Sequence, residues 1–320
     1  MTADVLLSSD LRGIESHGFA RFVEFYVNRA RQGLLNLSPN VRVVEDAPSA
    51  ATIDGDNALG FVPSTIAMRL AIDKARATGI GMVTVRTSSH YGPASPYALM
   101  ALDQGMIGIS MTTGGNSVVP PGGAKRVYGL NALSFAAPCR PPEAPFVLDM
   151  ATSVIAAGKI EIAQRRGKEI PEGWGLDTEG LPLSTPEQYY AGGAILPLGG
   201  DVLHGAWKGF GLGIMVDVLT GVLSGGRASA ELERRYANHF FGAMRIDAFT
   251  SIESFYDQMD SMKQTLRASP RLPGAGPLTF AGEPEAALEA EYRRNGIPYH
   301  PSVTDGLRQM CSELGIEYDL

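Results

Sequence analysis

Between Pro63 and Met111 the sequence passes twice from a helical repeat to a short apolar run, and this alternation constrains the fold more than any other feature. In PSTIAMRLAIDKARATG, Ile66, Leu70 and Ile72 recur near a helical repeat and Gly79 supplies the stop. A strand is predicted at 82–85, a second helix at 93–103 closed by Gly105, and a second strand at 106–111. Helices and strands interleaved so closely must cover a sheet with helices, an α/β layered core. Further strands are predicted at 132–136 and 146–150, the latter leading into a helix over 153–165. Residues 170–193, rich in Pro, Gly and acidic side chains, read as a surface loop.

The flanks differ from this middle. Phe19, Phe22, Phe25 and Tyr26 recur at helical spacing within Ser16 to Gln32. Near the other end, Ile252, Phe255, Met259, Met262 and Leu266 mark one helical face and Val303, Leu307, Met310 and Leu314 another. The expected organisation is a discontinuous helical domain from residues 1–50 and 250–320, around an α/β cofactor-binding domain over 51–249.

A chain of 320 residues is long enough for a sizeable core, which removes the small disulfide-stapled class. With only Cys139 and Cys311, an oxidised scaffold and a Cys-rich metal centre are not expected. The net charge of -7, with no Lys/Arg cluster longer than a pair, argues against nucleic acid as a partner. The opening MTADVLLSSDLRG has no basic stretch followed by an apolar one, so the expected location is cytoplasmic. GFGLGIMVDVLTGVLSGG approaches membrane length but carries Asp217, so it reads as a buried helix starting near Lys208.

Missing motifs narrow the chemistry. There is no H-E-x-x-H, C-x-x-C or G-x-S-x-G, and ATSVIAAGKI lacks the first glycine of a phosphate-binding loop. No G-x-G-x-x-G joins a strand to a helix in the first βαβ unit, so a Rossmann domain is not expected, and the glycines of GFGLGI are read as close-packing positions. Of the five histidines, His90 stands out because VTVRTSSHYGPAS places it after a strand and before a helix, where open α/β sheets bind ligands. A satisfied loop histidine is the alternative. His17 follows Arg12 and precedes Arg21 by one helical turn, with simple capping of the helix surface the alternative for Arg12; His204 lies near a helix start, and His239 and His300 look ordinary.

These residues carry a family resemblance. SDLRGIESHG at 9–18, SSHYG at 88–92, NSVVPPGG at 116–123, YGLNALSFAAP at 128–138, LDMATS at 148–153, IPEGWGLD at 170–177, WKGFGL at 207–212 and HFFGAMRID at 239–247 occur in the order of one family. The chain resembles the malate/L-lactate dehydrogenases, NAD(P)-dependent oxidoreductases unrelated to the Rossmann-type enzymes. The resemblance implies a small 2-hydroxy or 2-oxo acid as substrate and a homodimer. It implies that His90 moves the hydroxyl proton, and that Ser16, His17 and Arg21 form the substrate-side cluster, Arg21 gripping a carboxylate through two parallel bonds. It places Asp149, Met150 and Ala151 along the dinucleotide, Lys159 in the following helix, Lys208 against a phosphate and Asn131 in a turn beside the cofactor. Turn capping is the alternative for Asn131 and Asp149, and an ion pair the alternative for Arg21. No metal is implied. Either NAD or NADP is expected, with a lean to NAD.

The chain departs from the family at Thr112-Thr113-Gly114-Gly115, at Asn131-Ala132, and in having less sequence before Ser9. Lost side chains at Gly114 and Gly115 predict a wider pocket and a substrate bulkier than lactate. Two other readings stay open: reduction of a cyclic imine carboxylate, and a catalytically silent binding protein.

Overall fold

The fold is that of a computed structural model, which describes residues 2–233 and 235–318. Its strands are β1 (Arg42–Asp46), β2 (Ala50–Asp54), β3 (Ile80–Ser88), β4 (Met106–Thr112), β5 (Asn116–Val118), β6 (Tyr128–Gly129), β7 (Ala132–Ala137), β8 (Phe146–Met150), β9 (Gly175–Leu176), β10 (Ala194–Ile195) and β11 (Ala237–Arg245). Its α-helices are α1 (Thr2–Leu11), α2 (Asn28–Arg31), α3 (Phe61–Thr78), α4 (Ser95–Leu102), α5 (Ala157–Arg165), α6 (Pro186–Tyr190), α7 (Ala206–Asp217), α8 (Ile252–Arg267), α9 (Glu283–Asn295) and α10 (Pro301–Leu314).

Seven strands form the main sheet in the order β1-β2-β3-β11-β4-β7-β8. β2 and β3 run parallel across the α3 crossover, and the other neighbours are antiparallel. This is the mixed, helix-covered sheet expected from the sequence, without Rossmann topology. The middle of the sheet was not expected: β11 comes from near residue 240 and pairs with both β3 and β4. Strands β6-β5-β10-β9 make a smaller sheet, so the 170–193 segment contributes β9 and α6 to folded structure rather than forming only a loop.

Helices settle onto the main sheet where strands carry glycine. A Cβ on Gly81 would collide with the Ala71 carbonyl oxygen of α3, and one on Gly108 with the Ala98 carbonyl oxygen of α4. The core follows: Phe61, Met68, Val83, Val85 and Phe241 lie together, fully buried, with Leu6 and Tyr26 from the chain start. Each such large side chain contributes about 1.5–3 kcal/mol relative to exposure.

The helical ends meet, as their apolar faces predict. Val303, Leu307 and Met310 of α10 pack on Phe19, Phe22, Val23 and Val27, while Leu314 stays exposed. The aromatic segment is not the single α-helix its spacing predicts: 3₁₀ turns at Glu15–His17 and Phe19–Arg21 lead into a π-helical turn over Phe22–Val27 before α2. The predicted face of α8 also shifts. Met259 is buried but Met262 and Leu266 are exposed, and the buried neighbour is Lys263, paired with Glu143 at 3.1 Å and Glu283 at 3.2 Å.

Helix α7 is half-buried rather than buried. Gly209 packs on the Leu198 backbone and Gly213 on the Tyr128 ring, while Gly211 faces open space. Asp217 is buried and satisfied by the Ser229 N–H at 3.0 Å and hydroxyl at 2.6 Å. On the opposite side Trp207, Ile214, Met215, Val218 and Val222 are exposed. Among the described residues no helix is long and apolar enough to cross a membrane.

Candidate active site

The chain leaves β3 through Ser89, His90, Tyr91 and Gly92 and enters α4 at Ser95. Three anchors hold this turn. The Ser89 hydroxyl donates to the Ala58 carbonyl at 2.9 Å and accepts the Gly60 N–H at 3.0 Å. Tyr91 is buried between Tyr97 and His239, with ring centroids 4.8 and 4.5 Å away. Thr87, a β-branched residue with a φ of 52°, turns the chain just ahead of His90, a conformation that stores strain.

With its neighbours fixed in the core, His90 lines a large cleft. Its Nδ1 lies 2.7 Å from the Tyr26 hydroxyl and accepts the Gly92 N–H at 3.2 Å. His17 lies parallel to it at 5.6 Å, and Phe25 meets it edge-on at 5.2 Å. The Ser16 hydroxyl is 2.9 Å from His17 Nδ1. Burial and the nearby Arg21 guanidinium push the His17 pKa down to about 3. His90 is held well below its usual 6.5, first by burial, then by Arg21, with His17, Arg29 and His239 adding to it. Both imidazoles are therefore neutral near pH 7.

Two glycines bring these groups together. A Cβ on Gly18 would overlap the Asp10 carboxylate, and one on Gly158 would come 2.7 Å from Ser16 Cβ. Gly158 thus lets the start of α5 pack on the Ser16 turn. The same helix brings Glu161 to Arg21, where the two form an ion pair, while the guanidinium lies 4.8 Å above the Phe25 ring. Arg21 therefore has an ion-pair partner within the wall of the cleft.

The cleft has a volume of about 1180 Å³ and is lined by Ser16, His17, Arg21 and His90 together with Asn131, Asp149, Met150, Ala151 and Lys159. Asn131 is fully buried in a left-handed turn with a φ of 46°. Its amide accepts the Gly114 N–H at 3.0 Å and donates to the Gly213 carbonyl at 2.8 Å, so the side chain fastens the cleft floor to α7. Asp149 accepts the Ser95 N–H at 2.8 Å, and burial raises its pKa. Lys208 lies elsewhere: it is exposed on the first turn of α7, outside the cleft lining, because neighbouring Gly209 turns the other face of the helix inward. His204 is exposed and pairs with Asp201 at 2.7 Å, and His300 accepts the Ser302 N–H at the start of α10.

Four residues escaped the sequence reading. Arg12, for which surface capping was the alternative, lines the cleft at 6% exposure, and its Nε has no partner. Glu161 and Tyr26 carried no signal beyond helical spacing, and His239 is wholly buried. At Gly114 the expected widening is absent, since a Cβ there would lie 2.7 Å from the Leu130 nitrogen; at Gly115 the space is open.

A cleft of this volume exceeds the usual range for a single small ligand and has room for a dinucleotide beside a small acid. Its donors suit such a group, because the orphaned Arg12 Nε and the Lys159 ammonium are available for anionic oxygens. Among the described residues no group of three or more His, Cys, Asp or Glu is placed to hold a metal ion.

A family model described as malate/L-lactate dehydrogenase matches residues 1–308. The malate dehydrogenase of Pyrococcus abyssi is 44% identical over 324 residues, covering 99% of this chain and 88% of that protein. The L-sulfolactate dehydrogenase of Methanocaldococcus jannaschii is 34% identical over 326 residues, covering 100% and 91%. Among solved structures, malate dehydrogenase from Pyrococcus horikoshii superposes with a TM-score of 0.89 at 40% identity, covering 99% of this chain and 88% of that one.

Proposed function

The chain belongs to the malate/L-lactate dehydrogenase family, and from that premise we propose that it transfers hydride between NAD(P) and a small 2-hydroxy or 2-oxo acid. The observation that carries this reading is the meeting of His90, His17 and Arg21 in one wall of the cleft. When bound, a nicotinamide dinucleotide supplies the carbon that accepts or returns hydride. Arg12, Asp149, Met150, Ala151 and Lys159 are the residues that would hold it. NAD is the expected partner, supported by Asp149 and Glu285 in the lining, since a carboxylate facing ribose hydroxyls favours it over NADP.

His90 handles the proton. In the tautomer that carries Nδ1–H, this hydrogen goes to the Tyr26 oxygen and the Gly92 N–H shifts from Nδ1 to the same oxygen, which leaves Nε2 bare to take the proton of the substrate hydroxyl. The resulting imidazolium keeps its Nδ1–H on Tyr26. In the reverse direction it must first be protonated, and a carboxylate seated beside Arg21 offsets the cations that depress its pKa. Arg21 orients the acid, and the Phe25 ring beneath its guanidinium fixes the plane in which it can bind. A malate-like substrate is supported by the 44% identical relative of that name. A homodimer belongs to the same reading, supported by the exposed apolar side of α7, and sedimentation as a single chain would count against it.

The test is consumption of reduced cofactor with a panel of 2-oxo acids and cyclic imine carboxylates. Turnover is expected on the 2-oxo acids. His90→Asn should leave cofactor affinity within a few-fold and lower kcat by roughly 10²–10⁴. Because the His90 pKa is depressed, the acid limb of kcat/KM for hydroxy-acid oxidation should lie below pH 6.5, with a plateau above it. Near-normal turnover by the variant would move the proton transfer to another group.

A further inference from the structure

His239 takes no part in the chemistry above, yet it joins two segments of the cleft. It lies on β11, opposite Thr112 of β4, and its ring is within 3° of parallel to that of Tyr91. Nε2 is 2.9 Å from the Ser88 hydroxyl, and Nδ1 is 2.8 Å from the Thr112 hydroxyl.

The Ser88 hydroxyl donates to the Ser89 carbonyl at 3.4 Å, so its oxygen accepts Nε2–H from His239. A neutral imidazole carries one N–H, which leaves Nδ1 bare. Burial keeps the ring neutral by pushing its pKa down to about 3. Around the Thr112 hydroxyl stand His239 Nδ1, the Thr113 carbonyl at 3.1 Å and the Asn238 carbonyl at 3.4 Å. All three are acceptors. The single hydroxyl proton is therefore used inside the protein, and Thr112, which lines the cleft, shows it only lone pairs.

We propose that Thr112, with its polarity set by His239, is a hydrogen-bond acceptor for the carboxamide N–H of the nicotinamide ring. His239 is then a positioning residue and Thr112 a binding residue. The inference rests on the dehydrogenase reading. The strands β3, β11 and β4 are adjacent, so Thr112 stands two strand spacings, about 10 Å, from the segment that carries His90. The carboxamide is attached next to the ring carbon that exchanges hydride, and that carbon must face the substrate carbon at His90. An acceptor at this distance would fix which face of the ring is presented.

The experiment compares calorimetric affinities for NADH, or NADPH if the wild type prefers it, with the reduced 3-acetylpyridine analogue, whose methyl ketone has no N–H to donate. The wild type should favour the natural cofactor by about five-fold, the range of one neutral hydrogen bond. Thr112→Val should bring the two affinities together, and Thr112→Ser should restore the gap. His239→Phe keeps a ring against Tyr91 while removing Nδ1, and should narrow the gap in part. An undiminished preference in Thr112→Val, or equal weakening of both ligands, overturns the proposal even if His239→Phe fails to fold. If the wild type binds neither cofactor, the dehydrogenase reading falls, and this inference with it.

Discussion

One oxygen of Asp10 accepts two hydrogen bonds, from the Phe19 N–H and the Tyr299 hydroxyl, each 2.8 Å long, and so ties the chain start to the segment before α10. Burial nevertheless raises the pKa of this carboxyl from 3.8 to about 6. The folded state therefore holds the proton more tightly than the unfolded chain does. Its stabilising contribution is complete below pH 3.8 and is lost as pH rises towards about 6. The difference amounts to about 3 kcal/mol. Asp10→Asn keeps an oxygen acceptor and cannot titrate, so wild type minus variant stability, from urea unfolding, should fall between pH 4 and pH 6 and then level off. A difference independent of pH would show that Asp10 titrates alike in both states. At this scale the legible residues were those whose chemistry is rare in the chain or whose local setting is distinctive, such as His90 at a strand end. Glu161 was not legible, because its partner Arg21 is 140 positions away and nothing local distinguishes it from other helix-surface acids.

Helix α3 shows what an element reveals of itself. Its apolar spacing and Gly79 stop placed it within two residues at its start, since both signals are local. The strand paired at the centre of the sheet was harder to read. β11 is a long, mostly apolar strand, but only its partners, far away in sequence, make it central. The depth at which α3 packs is set by Gly81, whose missing Cβ admits the Ala71 carbonyl oxygen. Gly81→Ala should therefore destabilise the protein by about 1–3 kcal/mol through overpacking. On β11, Gly242 is the control: a Cβ there would make an ordinary 3.4 Å contact with Ile109, and Gly242→Ala should cost less than about 1 kcal/mol. Equal costs in denaturant melts would remove close approach as the reason for Gly81.

Taken as a whole, the molecule builds its cleft mainly from three stretches of chain, residues 12–29, the sheet and α5 residues between 90 and 161, and residues 279–285, with residues between 189 and 198 and residues 235–237 completing the lining. The same stretches share cores, for Leu6 and Tyr26 pack with the sheet residues Val83 and Phe241, and Phe280 packs with Ala137 and Met259. We propose that the chain ends and the sheet unfold together, and that a ligand touching all three stretches binds only the fully folded form. Cofactor at 100 times its Kd should then raise the unfolding free energy by about 2.7 kcal/mol. The shift should appear equally in near-ultraviolet circular dichroism, which reports the packed aromatic rings, and in far-ultraviolet signal, which reports the helices. If only one signal moves, or the two separate into distinct transitions once cofactor is present, the cleft would be coupled to one part of the fold and not to the whole.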